Sequence, residues 1–207
     1  MNEFTIHKNT QTNFTINLYK PSEALCMSIS NQLPGVSVSC DYYSCSLNAS
    51  NLQTFQEFVD TEITSNGTSQ MRYDNVVNLV NGLTNQISFL TNNYKKCFFM
   101  TQPKNIIVLD NGDKFLYIST NELLDVKDEH ICIHRPFSKV NGFLSNELSN
   151  VTLLPSIIHS NSIYCSIGML ATFCLTGDKT DNNIDSIYGT KLYWCIKRLV
   201  NDRCFVY

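Results

Sequence analysis

Between Tyr73 and Asn92 the apolar residues Val76, Val80, Leu83, Ile87 and Leu90 step by four, three, four and three. That is one stripe of a 3.6-residue period, and it predicts a long helix with a single buried face. A helix of this kind must lie against another apolar layer. The rest of the 207-residue chain therefore has to supply one. The front does so with strands. Phe4 and Ile6, then Phe14, Ile16 and Leu18, alternate around a polar turn, and Val36, Val38, Cys40 and Tyr42 alternate again. Between them a helix starts after Pro21 and ends at Pro34-Gly35. A short helix is expected at about Leu52–Val59 with Phe55 and Phe58 inward, followed by a polar loop over 62–71.

Behind the long helix come three short apolar runs, Cys97–Met100, Ile106–Leu109 and Phe115–Ile118. Asp110-Asn111-Gly112-Asp113 between the last two is a hairpin turn signal. An irregular stretch follows. A helix then fits Ser162–Leu175 with Gly177 just past its end, and another fits Lys191–Val200. Strands in front and helices behind make an α+β chain.

Composition removes several functions. Fifteen basic against 18 acidic side chains give a formal charge of −3, which argues against a nucleic-acid partner. No apolar run approaches membrane-spanning length, and the first twenty residues lack the pattern of a secretory signal, so an intracellular, cytoplasmic setting is expected. The nine cysteines are scattered and read as reduced, mostly buried thiols. The eight glycines never fall closer than nine residues apart. A phosphate-cradling loop needs them clustered, because backbone N–H groups must reach the phosphates without a Cβ in the way. None can be built here.

The order of elements and several local motifs resemble a protein kinase. NNYKKCFFMTQPKNIIVLDNGDKFLYIS resembles the catalytic loop HRDxKPxN and the hairpin that leads to DFG, with Pro103, Asn105 and Ile106 in place. FLSNEL resembles the APE-type segment, with Glu147 at the acidic position. NSIYCSIGMLATFCLTGD is similar to SDVWSLGVILYELLTG, and KLYWCIKRLVNDRCF to the last conserved helix, with Arg203 at a buried-arginine position. SEALCMSISNQLPGVSVSCDYYS resembles more faintly the small-lobe helix and its following strands, with Glu23 near the position of that helix's glutamate and FTINLY before it as a strand. The degenerate, Asn-rich character (24 Asn) is similar to kinase-like proteins of large DNA viruses. The resemblance implies a bilobal kinase-like fold, with a reduced N-terminal lobe over 1–60 and a mainly helical C-terminal lobe over 61–207.

It also implies that the chemistry is gone. Met100 stands at the catalytic-Asp position, and a thioether cannot accept a proton at neutral pH. Phe98 and Phe99 replace the His and Arg of the loop, and Gln102 replaces its phosphate-contacting Lys. The DFG aspartate falls within Ile118–Asn121, at about Ser119, where no carboxylate occurs. The strand lysine falls near Asn17, with Lys20 too close to Glu23 to serve. Asn105 is at most a remnant of a metal ligand. Positioning and charge stabilisation are most of phosphoryl-transfer catalysis, so no catalytic residue and no cofactor is expected.

Glu147 and Arg203 would form a buried structural ion pair if the kinase pattern holds. His130, Cys132 and His134 would share a face of a strand, the beginning of a zinc site without a fourth ligand nearby, so no metal is expected. The reading is a catalytically inactive, pseudokinase-like scaffold with a protein partner. Two alternatives stand beside it. One is a divergent Ser/Thr kinase with residual ATP binding that uses Asp110, Asp113 or Asp125. The other is an unrelated small structural viral protein.

Overall fold

The computed structural model describes residues 3–67, 69–140, 142–178 and 183–200. It is a mixed α+β chain. Strands β1 (Phe4–Lys8) and β2 (Asn13–Leu18) form an antiparallel hairpin, and β3 (Ser37–Val38) and β4 (Ser44–Asn48) complete a sheet in the order β1-β2-β4-β3. Phe14, Ile16 and Leu18 alternate inward on β2, as period-two patterning requires. Helix α1 (Glu23–Gln32) joins β2 to β3. Ser22 caps it, its Oγ accepting the Leu25 backbone N–H at 3.3 Å, and Glu23 complements the first turn.

Leu52–Thr54 is a strand, β5, and not the start of a helix. It leaves the first sheet and pairs with β7 (Ile106–Leu109), which pairs in turn with β8 (Lys114–Tyr117). Helix α2 begins at Phe55 and runs to Asn66, beyond the expected end and into the stretch read as a loop. Its start is fixed by Thr54 and Glu57. The Glu57 carboxylate accepts from the Thr54 backbone N–H at 2.7 Å while the Glu57 N–H donates to Thr54 Oγ1 at 3.3 Å, a reciprocal capping box. Phe55 and Phe58 are buried edge-on against Phe115, with centroids 6.3 and 5.7 Å away.

The long helix α3 spans Tyr73–Tyr94, and all five residues of its apolar stripe are buried. Its buried face also carries an amide. Gln86 Nε2 donates to Ser28 Oγ of α1 (3.1 Å) and to the Tyr117 carbonyl of β8 (3.0 Å), and Gln86 Oε1 accepts the Tyr117 N–H at 2.8 Å. One satisfied side chain thus ties α1, α3 and β8 together.

The irregular stretch contains three strands, β9 (Leu123–Lys127), β10 (His130–Ile133) and β11 (Ser156–His159), which join β6 (Lys96–Phe98) in the order β11-β10-β9-β6. A one-turn helix α4 (Asn146–Ser149) lies between β10 and β11. Helix α5 (Ser162–Thr176) ends at Gly177, whose left-handed φ of 75° lets its N–H close on the Phe173 carbonyl. Helix α6 (Lys191–Val200) packs on α5 at Gly168. A Cβ there would fall 2.8 Å from side-chain atoms of both Leu199 and Val200. No described helix is long and apolar enough to cross a membrane.

Candidate functional site

The Pro103–Asn105 turn and the β7–β8 hairpin set up the site. Thr101, just before that turn, is anchored to α5: its N–H donates to Ser166 Oγ at 3.1 Å, and its hydroxyl donates to the Ser166 carbonyl at 3.3 Å. Ser166 Oγ donates in turn to the Phe143 carbonyl. The loop Met100–Asn105 is thereby pinned between α5 and the hairpin, and its Met100, Gln102 and Lys104 face a cleft of about 730 Å³. Glu3, Lys20, Lys104, Glu122 and Arg135 line the same cleft. Phe99 and Phe137 close one wall edge-to-face at 5.4 Å.

Within the cleft floor, polar groups are bonded to one another. Tyr117 donates its hydroxyl to the Glu122 carboxylate and accepts the Gln102 backbone N–H at 3.0 Å. Asn105 Nδ2 donates to the same Glu122 oxygen at 3.3 Å. Gln102 Nε2 lies 3.6 Å from Met100 Sδ, and Met100 itself is 1% exposed. Burial pushes the Glu122 carboxyl up to about 7, with the charge of Glu3 adding to the rise, while Tyr117, Asn105 and Lys104 pull it down. Burial and the adjacent Glu122 raise the Tyr117 phenol well above its ordinary value.

The N-terminal sheet closes on this floor. Glu3 Oε2 accepts from Ser119 Oγ at 2.8 Å and from the Asn121 N–H at 3.1 Å, and Lys20 Nζ donates to Asn121 Oδ1 at 2.8 Å. Ser119 Oγ also accepts the Glu122 N–H at 3.1 Å.

Met100 and Gln102 therefore line one cleft, while Asn105 and Ser119 are buried behind it and reach it through their bonds to Glu122. Other expected residues lie elsewhere. Glu147 is exposed on α4 rather than buried, and both its oxygens accept the His159 backbone N–H at 3.2 Å. Solvent and a strand end meet its charge there. Arg203 lies outside the described residues. The three aspartates of the alternative kinase reading are all away from the cleft. Asp110 accepts from the N–H and hydroxyl of Ser50 (both 2.7 Å), Asp113 sits in the hairpin turn beside Lys114, and Asp125 pairs with Lys96 at 2.6 Å. His130, Cys132 and His134 line one shallow surface, with Cys132 Sγ 4.0 Å from His134 Nδ1. Among the described residues no three His, Cys, Asp or Glu side chains are grouped to hold a metal ion.

Sequence reasoning missed Glu122, Tyr117 and Glu3. Glu122 lies one position past Ile118–Asn121, the stretch in which the kinase resemblance would put a carboxylate. Tyr117 reads as an ordinary inward strand aromatic, and Glu3 is distant in sequence from everything it touches. No protein-family model matches the chain, and no curated protein matches it.

Proposed function

We propose that the chain is a kinase-like protein that has given up phosphoryl transfer and works by binding another protein. Two features support the kinase-like part. The first is the order strand, helix, strand, strand within one antiparallel sheet, β2-α1-β3-β4. The second is a pinned loop leading into a hairpin whose exit returns to the same cleft. The free thiols at eight described cysteines fit a reducing compartment.

One observation carries the loss of chemistry. Where a kinase needs a base and free metal ligands, this cleft holds a buried thioether and a closed network, Gln102–Tyr117–Glu122–Asn105. The bonds already made by the Glu122 and Glu3 carboxylates count against a Mg²⁺ site. Burial disfavours the charged form of the Glu122 carboxyl, its Oε2 is engaged twice, and Glu3 Oε2 already accepts from Ser119 and Asn121.

A second reading, a divergent kinase with residual nucleotide binding, is favoured by the Asn105–Glu122 contact alone, since these residue types could accept a metal if the network opened. Affinity capture from the native cell tests the first reading. A single protein should be retained in stoichiometric amount, equally by wild type and by Met100→Ala. Failure to retain any partner would overturn it.

A further inference from the structure

Helix α6 turns one side to α5 and the other to solvent. Leu192, Ile196 and Leu199 are buried. Lys191, Trp194, Lys197 and Arg198 are exposed. Trp194 is 52% exposed and is the chain's only tryptophan. Tyr188, just past the short turn Asp185–Ile187, is 67% exposed. The rings of Tyr188, Tyr193 and Trp194 hold one another. Tyr188–Tyr193 and Tyr193–Trp194 both have centroids 5.1 Å apart in edge geometry, and Tyr188–Trp194 is 6.2 Å. Lys197 Nζ stands 5.4 Å from the Tyr193 centroid.

The result is a pre-ordered pair of exposed rings, Tyr188 and Trp194, backed by the buried Tyr193 and bordered by three cations. Helix α6 carries no acidic side chain, and Asp185 on the adjoining turn is a single opposing charge. In a chain with a formal charge of −3, this is a local excess of the opposite sign. Tyrosine, tryptophan and arginine are the residue types that concentrate binding energy in protein interfaces, and rings already locked by their neighbours lose little freedom on binding.

We propose that this face docks an acidic linear segment of a partner protein. The rings would receive its proline or other apolar side chains, while Lys191, Lys197 and Arg198 pair with its carboxylates. The proposal rests on the protein-binding reading above and names the partner's chemistry. A lipid surface fits less well. The apolar side of α6 is spent on the core, so only Trp194 and Tyr188 remain to enter an interface, whereas an interfacial helix offers a whole apolar face.

Because Trp194 is unique, its emission reports occupancy directly. The full chain is titrated with a synthetic Glu-Pro repeat peptide, a Lys-Pro repeat, and phosphatidylserine vesicles. A saturable shift is expected with Glu-Pro alone, fading as salt rises. Combined Lys191→Glu, Lys197→Glu and Arg198→Glu should weaken it by roughly tenfold or more, with the circular dichroism unchanged. If that variant fails to fold, Tyr188→Ala tests the aromatic half and should also bind roughly tenfold more weakly. No response to Glu-Pro, an equal response to Lys-Pro, a response to vesicles alone, or undiminished binding by the variants would each overturn the proposal. A partner captured equally by wild type and the charge-reversed variant would sink this face while leaving the protein-binding reading in place.

Discussion

Asn105 donates its side-chain amide to Glu122 across the base of the β7–β8 hairpin, Nδ2 to Oε2 at 3.3 Å, on an oxygen that also receives the Tyr117 hydroxyl. The carboxyl lies in a site that burial makes costly for a charge. This contact ends a polar path that runs from the Gln102 N–H through the Tyr117 hydroxyl to Glu122.

The pH dependence of stability follows from it. The Glu122 carboxyl is raised from 4.5 to about 7 in the folded chain. Within that window the unfolded chain has released its proton while the folded chain keeps it, so stability falls as pH rises and levels off above about 7. The slope is about 1.4 kcal/mol per pH unit, roughly 3 kcal/mol in all. Glu122→Gln should flatten this part of the profile and stand above wild type at pH ~8 relative to pH ~5. Urea midpoints at the two pH values check it.

Gln86 is the buried amide on which α1, α3 and β8 converge. Gln86→Leu conserves much of the volume but leaves the Tyr117 N–H and carbonyl and Ser28 without this partner. The expected loss is about 2–4 kcal/mol, since each abandoned buried group costs about 1–3 kcal/mol. Chemical denaturation measures it.

Gly168 sets the distance between α5 and α6. An added methyl meets the Cβ of Leu199, the Cγ2 of Val200 and, at 3.2 Å, the Val200 backbone nitrogen. Gly168→Ala should destabilise by about 1–3 kcal/mol despite alanine's better helix propensity. It should also change Trp194 emission, because α6 must move.

Thr54 holds the start of α2. Thr54→Ala removes the hydroxyl that accepts the Glu57 N–H and donates to its carboxylate. The loss should be about 0.5–2 kcal/mol, read from thermal unfolding.

The sequence made the long elements legible where periodicity was strong. The α3 stripe, the Asp110–Asp113 turn and the Gly177 cap all lie where local pattern placed them. Strands β9 and β11 were not legible, because each is only four or five residues long and pairs with a strand well removed in sequence, β6 for β9 and β10 for β11. The start of α2 is readable in principle, since Thr54-x-x-Glu57 is a capping signature that moves the helix start from Leu52 to Phe55. Met100, Gln102 and Asn105 are singled out only by their resemblance to the kinase loop, and Met100 and Gln102 do line the cleft. Glu3 and Tyr117 join them through contacts that no local spacing encodes.

Phosphoryl transfer tests the central claim most directly. The purified chain is incubated with γ-labelled ATP, Mg²⁺ or Mn²⁺, and generic protein substrates, beside Glu122→Ala prepared identically. The closed network and the thioether at position 100 predict no label above the blank in either sample. Transfer by wild type that Glu122→Ala abolishes would contradict the account.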